Sequence, residues 1–197
     1  VSIQQKQTKN YFNKISFSWE KRSNIKDPLL YDTIQHRNQY VLDLIRKKNT
    51  KNFLDVGCGG GELIQMSSNF TSESVGIDFS KQMINRCNKK KNLRKKNTKF
   101  VHGSFFDHKF TQKFDLISAN GFIEYISLAQ LDIFFKKCRK LLNKNGILVV
   151  SARNRLFNLF SLNDFTLKEI KKAKTLKLLL EESIKLNKLN LKGYLNE

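Results

Sequence analysis

The stretch Phe53-Leu54-Asp55-Val56-Gly57-Cys58-Gly59-Gly60-Gly61-Glu62-Leu63 limits what this chain can fold into more than any other. An apolar strand runs through an acidic residue into a glycine-dense turn, and a helix starts directly after it. Such a unit belongs to an alternating sheet-and-helix fold. Glycine lacks the Cβ that would keep a ligand off backbone N–H groups, and the helix turns its positive N-terminal end toward the same spot. A structural turn rarely needs four glycines within five positions, so the stretch reads as a small-molecule pocket.

Two nucleotide readings weaken at once. The dinucleotide fingerprint Gly-x-Gly-x-x-Gly finds Gly57 and Gly59, but Glu62 stands where its third glycine belongs. Asp55 would repel a pyrophosphate and attract a ligand carrying an ammonium or sulfonium charge. No Gly-Lys-Ser/Thr follows, which removes the phosphate P-loop.

These residues resemble motif I of the class I S-adenosylmethionine-dependent methyltransferases, and the resemblance continues in four further blocks. Val75-Gly76-Ile77-Asp78-Phe79-Ser80 looks like the second strand of that family, with Asp78 at about the 20-residue spacing at which an acidic side chain meets ribose hydroxyls. Val101-His102-Gly103-Ser104-Phe105-Phe106-Asp107 is similar to the segment after strand 3, with Ser104 at the position of the family's adenine-reading Asp and Asp107 nearby to compensate. Phe114 to Ile126 resembles strand 4 and the segment beyond it, Tyr125 taking a position where His is common. Leu141 to Ser151 is similar to the helix-turn-strand 5 block. The resemblance spans residues 31–151.

Composition is compatible with one domain: 197 residues, 40% hydrophobic and 11% aromatic. No apolar run reaches bilayer length and the polar start is no secretory signal, so a soluble cytoplasmic protein is expected. Three cysteines without a Cys-x-x-Cys point to no disulfide framework and no metal site. The net charge of +20 and pI near 10.0 invite a nucleic-acid reading. Most of the 37 basic residues are lysine, however, amid abundant asparagine, which looks like an AT-rich coding bias. The densest run, Lys89 to Lys96, is expected at the sheet edge opposite the ligand.

Strand and helix alternate beyond a first helix near Tyr31 to Lys48: strand 52–57, helix 61–69, strand 74–78, helix 80–91, strands 99–102 and 114–119, helix 127–142, strand 146–151. This predicts a Rossmann-like α/β fold, a doubly wound, mostly parallel sheet of order 3-2-1-4-5 with its ligand at the switch point. Three parts are expected: an N-terminal lid or arm over 1–30, a cofactor-binding methyltransferase domain over 31–160, and a helical extension over 161–197. Strands 6 and 7, usual in the family, have no candidates and are expected to be missing or truncated. A start without Met and an end at Glu197 suggest a fragment.

The resemblance implies S-adenosylmethionine as cofactor. Asp55, Gly57, Cys58, Gly59 and Gly61 would surround its methionine part. Asp78 and Phe79 would take the ribose and one adenine face with Met83 nearby, a residue equally suited to the core. Ser104 and Phe105 would line the adenine, and Ala119, Asn120 and Gly121 would close the strand 4 side. Cys58 reads as a small packed residue, not a nucleophile. No catalytic base stands out; Tyr125, His102 and His108 are weak candidates. Trp19, Tyr125, Arg153 and Arg155 are weak candidates for the acceptor, with Glu124 facing the same side by family analogy. The two arginines fit an acidic group. The expected activity is methyl transfer to an oxygen or nitrogen of a small molecule. An RNA methyltransferase and a non-catalytic interaction module of the same fold are the alternatives.

Overall fold

In the computed structural model the described residues build one five-stranded sheet flanked by helices. The structure describes residues 33–90 and 97–152, with Asn10 and Leu167 as single positions. The expected arm over 1–30, Trp19, most of the basic run, Arg153, Arg155, the helical extension and the place of strands 6 and 7 lie outside the described residues. The chain divides into two units, Val1–Ala152 and Arg153–Glu197, and the first is the one described here.

The elements in chain order are α1 (Thr33–Lys47), β1 (Asn52–Val56), α2 (Glu62–Ser67), β2 (Glu73–Asp78), α3 (Lys81–Lys89), β3 (Thr98–His102), β4 (Phe114–Asn120), a 3-10 turn (Ile123–Tyr125), α4 (Leu128–Leu141) and β5 (Leu142–Ser151). All strand pairs are parallel and the order is β3-β2-β1-β4-β5, as the alternation of elements predicts. Parallel strands need crossovers, and the helices that supply them cover both faces. On one face Val41 and Ile45 of α1 and Leu63 and Ile64 of α2 pack on Phe53 and Leu116. On the other, Phe134 and Cys138 of α4 pack on Leu54, Val56, Val75, Ile77, Ile117 and Ala119.

Local sequence explains where helices begin. Ser80 caps α3, its hydroxyl accepting from the Met83 N–H at 3.3 Å. Ser127 and Gln130 form a reciprocal capping box at the start of α4. β5 departs from expectation by starting at Leu142 instead of 146. Phe114 pairs with Leu142 and Leu116 with Ile147, so the intervening residues bulge out of the ladder. Asn145 adopts φ 67°, which asparagine tolerates, and a Cβ at Gly146 would lie 3.0 Å from the Asn143 carbonyl. Asp115 anchors this corner, accepting from the Lys51 and Asn52 N–H groups and from Asn143 Nδ2 at 3.0, 2.9 and 2.6 Å. Burial pushes its carboxyl up, but those three donors outweigh burial and hold it below its ordinary range. Among the described residues no helix is long and apolar enough to cross a membrane.

Candidate active site

The glycine turn sits at the carboxyl end of β1, between β2 and β4, where the strand order reverses. Gly57, Gly59 and Gly61 have φ of 75°, 52° and 81°. A side chain in that region costs about 1–2 kcal/mol, which is the local reason for glycine. Four of the five N–H groups of the turn, those of Gly57, Cys58, Gly59 and Gly61, are used internally. Gly57 and Cys58 both donate to the Ile77 carbonyl at 2.8 and 3.1 Å, and Gly61 donates to the Cys58 carbonyl at 2.9 Å. Gly59 donates to Asp78 Oδ2 at 3.0 Å. A turn with most of its amides used internally is poorly suited to a pyrophosphate.

Asp78 ties the turn to the next helix. Its second carboxyl oxygen accepts from the Ser80 N–H at 2.8 Å, while the helix cap itself is Ser80. Burial raises the Asp78 carboxyl, with the Ser80 and Gly59 hydrogen bonds and nearby His102 opposing. Asp55 is buried and opposite Ser118 in the β1–β4 register, whose hydroxyl donates to it at 2.6 Å. Burial pushes the Asp55 carboxyl up to about 7, the Ser118 bond opposing and Asp78 and Glu62 adding to the rise. The charge on Asp55 is therefore partial near neutral pH. Cys58 is buried and its thiol is pushed far up by a hydrogen bond with Cys87 and by burial, which keeps it protonated.

The block after β3 folds as a tight turn. Ser104 Oγ accepts from the Phe106 N–H at 3.2 Å, and its carbonyl accepts from the Asp107 and His108 N–H groups. Lys137 of α4 pins this turn by donating to the Phe106 and His108 carbonyls at 2.9 and 2.7 Å. Phe105 is buried, packed against Phe106, Phe110, Phe122 and Phe134. Met83 and Ala119 are buried as well. The structure thus gives these three side chains to the core, while Phe79 stays half-buried beside Asp78. Of the weak base candidates, His102 is exposed, His108 packs edge-on to Phe110 at 4.6 Å, and Tyr125 lies in the 3-10 turn, with its N–H on the Phe122 carbonyl. Asp107 and Glu124 are exposed and half-buried respectively.

Three residues absent from the sequence reading of the site stand beside it. Phe122 lies over Gly57, where a Cβ would come within 3.2 Å of its ring. Arg37 of α1 reaches the ends of β4 and β5, donating to Ser151 Oγ at 3.2 Å, and the same hydroxyl accepts from the Gly121 N–H at 2.9 Å. Lys90 reaches the glycine turn, bonding the Gly60 carbonyl at 3.1 Å. The run Lys89 to Lys96 was expected at the edge opposite the ligand; of it, Lys90 contacts the turn, and residues 91–96 lie outside the described residues. At the end of β4, the buried Nδ2 of Asn120 has no hydrogen-bond partner among the described residues. An orphaned buried donor is costly, about 1–3 kcal/mol, and suits a site whose ligand supplies the acceptor.

A family model described as a methyltransferase domain matches residues 47–193. This chain belongs to that methyltransferase family. The methyltransferase domain is 36% identical over 110 residues to a ubiquinone biosynthesis O-methyltransferase of Pelagibacter ubique, a match covering 55% of this chain and 44% of the relative. A protein of the same name from Bradyrhizobium diazoefficiens is 25% identical over 162 residues, covering 77% of this chain and 63% of that one. The chain thus spans less than two thirds of the length of these relatives. Among solved structures, an S-adenosylmethionine-dependent methyltransferase of Clostridium acetobutylicum superposes with a TM-score of 0.60 at 18% identity, covering 77% of this chain and 61% of that one. The N-methyltransferase NodS of Bradyrhizobium japonicum in complex with S-adenosylhomocysteine gives 0.54 at 20% identity, covering 68% and 71%. At such identities the structural likeness speaks for the fold.

Proposed function

We propose that this methyltransferase domain binds S-adenosylmethionine and transfers its methyl group to an oxygen of a small organic acceptor. The observation that carries the reading is the joint between β1 and β2. A glycine turn with most of its amides used internally is held by a buried acidic residue, Asp78, at the end of the neighbouring strand. That arrangement disfavours a pyrophosphate and suits a ligand read through its ribose. The names of the O-methyltransferase relatives support oxygen as the acceptor atom.

The cofactor, when bound, supplies an electrophilic methyl on a sulfonium sulfur. The chain's own residues then have to bind, orient and exclude water, since displacement at that carbon needs little covalent help. Asp78 would hold the ribose hydroxyls, Phe79 would cover one adenine face and the Ser104 turn would meet the other edge. Gly57, Gly59 and Gly61 would permit close approach of the methionine part, with Phe122 beside it. Arg37 and the orphaned Asn120 Nδ2 offer donors for the methionine carboxylate at the ends of β4 and β5. An acceptor hydroxyl would receive the methyl as its carbon–sulfur bond breaks, and the hydroxyl proton would leave to solvent or to a base on the acceptor side. Acceptor contacts by Tyr125, Trp19, Arg153 and Arg155 belong to this proposal.

Calorimetry with S-adenosylhomocysteine is the direct test. Micromolar binding by the wild type, abolished in Asp78→Ala, is the expected result. A folded wild type that binds neither S-adenosylhomocysteine nor S-adenosylmethionine would overturn the reading. Transfer of a labelled methyl to catechol-type hydroxyls, against amines as the comparison, tests the acceptor atom.

A further inference from the structure

We propose that Lys90 is a positioning residue that latches the glycine turn in its binding shape, a role that rests on the turn being the cofactor site. Lys90 is the C-cap residue of α3, and its ammonium donates to the Gly60 carbonyl at 3.1 Å while pairing with Glu62 Oε1 at 3.4 Å. Both side chains are mostly withdrawn from water, at 21% and 26% exposure. The Glu62 carboxylate fills the space in which a Cβ at Gly60 would sit, so a side chain there would collide with it. One helical turn back, Cys87 Sγ donates to the Gly59 carbonyl at 3.3 Å. On the opposite side of the same residue, Asp78 takes the Gly59 N–H.

Two consecutive glycines are therefore gripped from α3 by their carbonyls. Glycine loses more conformational freedom on ordering than any other residue, so a turn this rich in it would be loose if left alone. A ligand meeting a loose turn must order it, and its affinity falls by that amount. A latch supplied by the protein removes the need. Glu62, at the place where a dinucleotide fingerprint has its third glycine, thus has a reason to be there: it is the acidic half of the latch.

Positioning and plain electrostatics predict different outcomes, because S-adenosylmethionine carries a sulfonium charge and S-adenosylhomocysteine does not. Removing the Lys90 charge by simple electrostatics would tighten the cationic ligand relative to the neutral one. Loss of the latch weakens both alike. Calorimetry on the full chain with each ligand, for wild type, Lys90→Met, Lys90→Arg and Asp78→Ala, separates these. The expected result is a Kd about tenfold higher in Lys90→Met for both ligands, with Lys90→Arg within about threefold of wild type. Lys90→Gln, which keeps a donor and drops the charge, serves if Lys90→Met does not fold. Affinities unchanged in the folded variant, or S-adenosylmethionine tightened relative to its product, would overturn the latch. Binding lost in Asp78→Ala but unchanged in Lys90→Met sinks the latch while sparing the cofactor site. A wild type that binds neither ligand sinks both.

Discussion

Asp55 is an acid whose place in the core reverses what its charge suggests on paper. Burial raises its carboxyl to about 7 in the folded chain, against 3.8 ordinarily, so the native state holds this proton more tightly than the unfolded chain does. Stability from this group is therefore greatest below pH 4 and is lost as pH rises through the window from about 4 to 7. Three pH units correspond to roughly 4 kcal/mol as an upper order of magnitude. Asp78 is shifted in the same direction and adds to the trend. Asp55→Asn keeps an acceptor for the Ser118 hydroxyl and cannot titrate. Urea unfolding between pH 4.5 and 7.5 is expected to show a shallower decline in the variant than in the wild type. Parallel declines would show that Asp55 is not the source. The same residue marks how legible the site was: its acidity and its position before the glycines are local, but its partner Ser118 lies 63 residues away and becomes a neighbour only through strand register.

At the scale of elements, α4 secures both the sheet and the turn after β3. Its buried Phe134 ring meets Phe105 and Phe122, each at 5.4 Å between centroids, and its Lys137 holds the carbonyls of 106 and 108. Phe134→Ala should lower unfolding free energy by about 3–5 kcal/mol, measured by denaturant titration. Because Phe122 also lies over Gly57, the same variant is expected to weaken S-adenosylhomocysteine binding before it unfolds. Element type was readable along the described chain, since strand ends carry glycine and acids and α4 carries an apolar face. The start of β5 was not, because the bulge between Leu142 and Ile147 is held by the Asn143 side chain donating to Asp115, 28 residues earlier on β4.

For the molecule as a whole, the order β3-β2-β1-β4-β5 brings the ends of five strands to one rim. A ligand bound there stabilises the fold by mass action, about 2.7 kcal/mol at a hundredfold excess over Kd. For a chain of this size that is roughly 5–10 °C in Tm. Thermal unfolding with and without S-adenosylhomocysteine should show this rise in the wild type and none in Asp78→Ala; an equal rise in both would move the site away from Asp78.

What the sequence alone determined is what short-range physics controls: the glycines that need left-handed backbone, the periodicities that separate strand from helix, and the parallel order that their alternation imposes. What only the tertiary structure decided is which side chains meet. Arg37 reaches Ser151 across 114 positions, Lys90 turns back onto Gly60 across 30, and the turn's amides close on Ile77 and Asp78. Each of these contacts is made by chain closure over a long loop, and its partner is set by topology and register, which no local pattern of residues encodes.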